Sequence, residues 1–160
     1  MTPGRWPGLS RGPGGYHPVM TNQTIKVGVE IAAPPDRVWR ALTDPALVRQ
    51  YFFGTRLETT WQPGSPITWS GEFEGHPYQD HGQVLEVVPG ERLVVTHFSP
   101  AGGQEDAPEN YHRLEYRLAD LGGATYLSLE QDNTPDGSVE QFRTNWETML
   151  AGLKDVVERG

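Results

Sequence analysis

Two histidines, a glutamine and two asparagines in the C-terminal half of the chain are the residues best suited to chemistry. His97 and His112 titrate near neutrality, so each can move a proton or hold a ligand hydroxyl or carbonyl by a hydrogen bond. Gln131 offers an amide beside them, and Asn110 and Asn133 sit at the same end of neighbouring runs. The set has an equally good structural use, tying strands together by hydrogen bonds that buried polar groups require. Residue types alone leave ligand orientation, acid–base work and structural bonding open. A metal is not expected: no His-x-x-x-His or cysteine pattern accompanies the histidines, and Gln131 is a poor third ligand. No cofactor motif accompanies them either.

Strand pairing is what would bring these residues together. Residues 110–118 and 125–133 both alternate in polarity and flank Gly122-Gly123, which reads as a hairpin. Pairing Leu118 with Thr125 sets Tyr116 opposite Leu127, Leu114 opposite Leu129, His112 opposite Gln131 and Asn110 opposite Asn133. All lie on one face, because side chains alternate along a strand. The run before it repeats the order Leu93, Val95, His97. The result is an apolar sheet face with a polar row at one end, the pattern of a pocket floor.

The remaining elements follow from periodicity and punctuation. Residues 24–31 alternate as a first strand. Pro34-Pro35-Asp36 then opens a helix bearing Val38, Trp39 and Leu42, and Asp44 caps a second short helix over 46–53. Strands are predicted over 56–61, 67–73, 79–88 and 93–98. Ser138 and Gln141 suggest a capping box for a last, long helix. Its apolar stripe is Val139, Phe142, Trp146, Met149, Leu150, Leu153, Val156 and Val157, and Gly152 within it implies close approach of another element. Asn145, beside Trp146, is read as reaching the loop at 108–110. Glu86 and Glu115 read as solvent-facing charges, and His17, His76 and His81 as exposed. Residues 99–109, with Gly102-Gly103, read either as a lid or as a solvated connection. The fold class is α+β: a curved antiparallel sheet wrapped around a long C-terminal helix, with two short helices after the first strand.

Composition narrows the function. The chain has 160 residues, a formal charge of −8 and no cysteine. Disulfides, thiolate catalysis and Cys-bound zinc are thereby excluded. The 13 Lys and Arg are scattered rather than grouped along a phosphate track, so nucleic acid is not an expected partner. No run of ~20 apolar residues suggests membrane insertion, and a cytoplasmic location is expected by default. Residues 1–20 are rich in Gly and Pro and read as a disordered leader, with Met20 a candidate translation start. Residues 21–160 then read as a single domain.

Several stretches carry a family likeness: Ala33-Pro34-Pro35, Ala41-Leu42-Thr43-Asp44-Pro45, Trp61-Gln62-Pro63-Gly64, Thr96-His97-Phe98, Asn110-Tyr111-His112, Gln131-Asp132-Asn133 and Asn145-Trp146. In this order they resemble the START-like, helix-grip superfamily. Within it they are similar to the bacterial branch related to the C-terminal domain of the heat-shock-protein-90 ATPase activator. The resemblance implies a helix-grip fold with an apolar cavity between the last helix and the sheet. Its walls would be Phe142, Trp146 and Met149 from the helix, and Trp69, Phe73, Val95, Leu114, Tyr116, Leu127 and Leu129 from the sheet. The eukaryotic co-chaperone's separate N-terminal domain has no counterpart here, so chaperone ATPase activation is not expected. The expected function is non-enzymatic binding of a lipid-like or aromatic small molecule, with His97, His112 and Gln131 fixing its polar end. The alternatives are a cyclase- or hydratase-type enzyme using the two histidines, or a protein-interaction module with a stress-response or chaperone partner.

Overall fold

The computed structural model describes residues 22–160; the leader expected over 1–20, Met20 and His17 lie outside the described residues. Strand β1 (Gln23–Ile31) is followed by helices α1 (Pro35–Thr43) and α2 (Pro45–Tyr51). Six strands come next: β2 (Arg56–Thr59), β3 (Pro66–Phe73), β4 (His76–Val88), β5 (Arg92–His97), β6 (His112–Asp120) and β7 (Thr125–Thr134). Helix α3 (Val139–Arg159) closes the chain. The strands form one curved antiparallel sheet in the order β1-β7-β6-β5-β4-β3-β2, a meander whose last strand pairs with the first.

Local chemistry explains the helices. Pro35 opens α1 with Asp36 in its first turn, and the Asp44 carboxylate accepts from the Ala46 N–H at 2.9 Å to start α2. The expected capping box at α3 is absent: Ser138 makes no side-chain cap bond, and Gln141 instead donates to Asn145 Oδ1 at 2.9 Å. The apolar stripe of α3 is buried apart from Phe142, which is half-buried. Gly152 lets α2 settle against this helix. A Cβ there would sit 3.2 Å from Tyr51 Cβ and 3.3 Å from the Tyr51 carbonyl, a tight contact on both sides.

Two further sequence expectations need correction. The β6–β7 pairing runs two residues further along than expected, with Leu118 opposite Leu127, Tyr116 opposite Leu129 and Leu114 opposite Gln131. A slip of two preserves which face each residue occupies, so the inward set survives while every partner changes. The cause is a tighter connection, closed by Leu121 N–H to the Ala124 carbonyl at 2.8 Å. Glu115 is the second case. It is buried on the outer face of the sheet beneath Arg92, Arg113 and Arg117, with Arg113 Nη1 at 2.9 Å and Arg92 Nε at 3.2 Å. Burial would raise its carboxyl, but the Arg113 hydrogen bond and the Arg117 and Arg92 charges hold it below the usual range. Glu86 joins the cluster through Arg92 at 3.2 Å.

Strand β4 turns the sheet. Its first half pairs with β3 and its second with β5, with a register shift between Val84 and Glu86. At the hand-over, β4 and β5 approach so closely that a Cβ on Gly82 would lie 1.8 Å from the Thr96 carbonyl oxygen. That oxygen is backbone and cannot step aside. Gly82→Ala is expected to lower the unfolding free energy by about 1–3 kcal/mol, through overpacking that shifts the two strands. Chemical denaturation measures this; a loss below roughly 0.5 kcal/mol would show that the approach is not a constraint.

Candidate functional site

The inward positions of β5 run Leu93, Val95, His97, and those of β6 run Tyr116, Leu114, His112; the register sets His97 directly opposite His112. Their rings stack with centroids 6.3 Å apart and planes 22° from parallel. Trp69 of β3 meets His97 edge-on at 5.1 Å, and Phe142 of α3 meets His112 edge-on at 5.2 Å. The two imidazoles are thus clamped between aromatic rings from opposite walls of the fold.

Each histidine has one partnered nitrogen. His97 Nε2 lies 2.9 Å from Asp80 Oδ2. Asp80 is inward on β4, opposite Trp69. His81 pairs with Phe98 and Val84 with Val95, which sets Gly82 across from His97 and Asp80 on its diagonal. Lacking a side chain, Gly82 leaves the carboxylate a clear line to the ring. His112 Nδ1 bonds the Asp132 carbonyl at 3.2 Å. Burial lowers the His112 pKa, the Asp132 carbonyl acts the other way, and the nearby His97 adds to the lowering.

Gln131 does not join the histidines. It is fully buried, accepts from Trp146 Nε1 at 2.8 Å and donates to Thr134 Oγ1 at 3.0 Å. The two-residue register change accounts for this, since Gln131 now faces Leu114. Asn133, at φ +54°, donates to the Glu109 and Tyr111 carbonyls at 2.9 and 3.0 Å. Asn110 donates to the Glu105 carbonyl at 2.8 Å, so both asparagines hold the 99–110 loop. Asn145 is exposed and makes its bond within α3, not to that loop. His76 is exposed as read, whereas His81 is half-buried. His81 Nε2 lies 3.1 Å from Asp106 and 3.0 Å from the Tyr111 hydroxyl, and Tyr111 also donates to Asp106 at 2.7 Å. Burial first, then the hydrogen bond to Asp106 and its charge, push the Tyr111 pKa up to about 12.

Next to Trp69, the ring that meets His97 edge-on, lies a small apolar pocket with a cavity volume of about 30 Å³, partly open to solvent; neither histidine is among the residues that line it. Helices α1 and α2 supply Leu42, Val48 and Tyr51, and Phe52 follows directly after α2; the sheet supplies Leu57, Ile67, Trp69, Leu93, Val95 and Tyr116. Trp61 and Met149 complete it. Of the expected lining, Trp69, Val95, Tyr116 and Met149 line this pocket. Leu114, Leu127, Leu129 and Trp146 are packed in the core. Phe73 lies elsewhere, 63% exposed beside the β3–β4 turn, where no helix covers the sheet. Tyr116 brings a hydroxyl whose pKa burial raises well above the ordinary value. The short helices dominate one wall, a contribution the sequence reading did not foresee. Asp80 was also missed, although its alternation with Tyr78, Gly82 and Val84 marks it as inward. Among the described residues, no three His, Cys, Asp or Glu side chains are grouped to hold a metal ion.

The family model described as activator of Hsp90 ATPase homolog 1-like protein matches residues 32–158. The chain belongs to this family. With it comes membership of the START-like, helix-grip superfamily, which the sheet and its long helix bear out. A Cytophaga hutchinsonii protein solved in solution is 38% identical, with a TM-score of 0.74 over 85% of this chain and 94% of its own. A Chromobacterium violaceum protein is 26% identical, with a TM-score of 0.70 over 85% and 97% of the two chains. CalU16 from Micromonospora echinospora, 24% identical with a TM-score of 0.69 over 85% and 76%, shares the fold. No curated protein matches significantly. No helix among the described residues is long and apolar enough to cross a membrane.

The lowered His112 pKa has a signed consequence. Unfolded, the ring binds its proton near pH 6.5; folded, it resists doing so. Its contribution to stability is therefore complete above pH ~6.5 and is lost as pH falls through the window below that. Urea unfolding should show stability falling from pH 7.5 to 5.5, with part of the fall removed in His112→Gln. An unchanged pH slope in the variant would contradict this assignment.

Proposed function

We propose that this family member binds an apolar small molecule, lipid-like or aromatic, in the pocket between α1, α2, α3 and the sheet, with His97 and His112 at its polar end. The observation that carries the reading is the pocket itself: apolar walls from both layers, with Tyr116 among them and with Trp69, which lines it, in ring contact with the histidine pair. Sites for small ligands commonly combine such walls with a few placed polar groups. Affinity would come from apolar burial, at roughly 25 cal/mol per Å² less the cost of immobilising the ligand. Gln131 drops out of the proposed contacts, because Trp146 and Thr134 occupy its amide. Leu114, Leu129 and Trp146 support the wall from behind; Phe52, which lines the pocket, rests 6.1 Å from Trp146 ring to ring.

Naphthalene is a suitable neutral probe. Titrated into methyl- and aromatic-labelled protein, it should shift the NMR signals of Met149, Val95, Trp69 and Tyr116 together along one saturable curve. Shifts confined to the exposed rings of Phe53 and Phe73, or no saturable shifts, would overturn the reading.

A further inference from the structure

The hydrogen-bonding polarity of the histidine pair is fixed by its partners. A carboxylate has no proton to give, so the His97 Nε2 beside Asp80 carries the hydrogen. A backbone carbonyl likewise only accepts, so His112 Nδ1 carries the hydrogen that points to Asp132. In each neutral ring the other nitrogen is then a lone pair: Nδ1 on His97 and Nε2 on His112. His97 Nδ1 is buried and has no hydrogen-bond partner. A hydrogen there would be a buried donor with nothing to receive it, a state more costly than a bare lone pair. Trp69, which meets the His97 ring edge-on, also lines the pocket, and Val95, the preceding inward residue of β5, does too.

We infer that the polar end of this site is an acceptor pair selecting ligands that bring a hydrogen-bond donor, and that its occupant is an aromatic molecule bearing a hydroxyl. The inference rests on the proposed pocket. The hydroxyl donates to His97 Nδ1 while its ring sits among Trp69 and the pocket's apolar walls. Asp80 is a positioning residue: it touches His97, not the ligand, and sets which nitrogen is free. A ketone or ether of the same shape offers two lone pairs to two lone pairs and is rejected.

The test compares 1-naphthol with 1-methoxynaphthalene by calorimetric titration, alongside 15N NMR of the histidine rings. In the native sequence, 1-naphthol should bind roughly tenfold tighter, the worth of one hydrogen bond. His97 should show a protonated Nε2 and a bare Nδ1, and His112 the reverse. In His97→Phe the two ligands should bind within about twofold of each other. In Asp80→Ala the His97 signals should move toward a mixture of tautomers while those of His112 stay put. Equal binding of both ligands to the native protein, or a His97 doubly protonated at neutral pH, overturns the inference and leaves the pocket standing. Binding of neither ligand overturns the pocket as well.

Discussion

The close approach of β4 and β5 at Gly82 is the constraint on which the rest of the architecture turns. With no side chain at this position, the Thr96 carbonyl passes where a Cβ would otherwise stand. Strand β4 can then leave β5 and continue with β3, which curves the sheet and gives the pocket one of its walls. The same vacancy faces His97 and opens the diagonal along which the Asp80 carboxylate reaches the ring. Fold and site therefore share one backbone crossing. A second constraint acts on the opposite side, where Gly152 of α3 admits Tyr51 of α2 and brings the short helices over the apolar end of the sheet.

Polar groups are divided between two tasks. Gln131, Trp146 and Thr134 form a closed set in which each polar atom answers another. Such a set anchors α3 to β7 and leaves nothing for a ligand. The histidine pair is not closed: each ring gives one nitrogen to the protein, and the second nitrogen of His97 remains buried and unanswered. Most buried polar atoms in folded proteins are partnered, so an unanswered one beside a pocket points to function. On the outer face, Glu115 beneath Arg92, Arg113 and Arg117 ties β5 to β6 behind that site.

Much of this was legible in the sequence, and the errors have specific causes. Alternation assigned Leu114, Tyr116, Leu129, His97 and His112 to one face correctly, because a two-residue slip leaves faces unchanged. Partners depend on turn geometry, which Gly122-Gly123 does not determine, so Gln131 was credited to the wrong neighbour. Asp80 drew no reading from the sequence, although alternation with Val84 puts it on the inward face, where β4 brings it opposite Trp69. The burial of Glu115 had a visible sign in Arg113 and Arg117, both two residues away and hence on its face. Phe73 shows the limit of alternation. It predicts a face, but whether that face is covered depends on where distant helices dock.

The central claim is that the pocket holds a small molecule, and the protein's own occupancy tests it most directly. Native mass spectrometry of protein purified gently from its source cells, set against its denatured mass, would read that occupancy. The account predicts a reproducible extra mass, released on denaturation, belonging to an aromatic or lipid-like compound with a hydroxyl group. A native mass equal to the denatured one in repeated preparations, with no compound recovered on extraction, would contradict it.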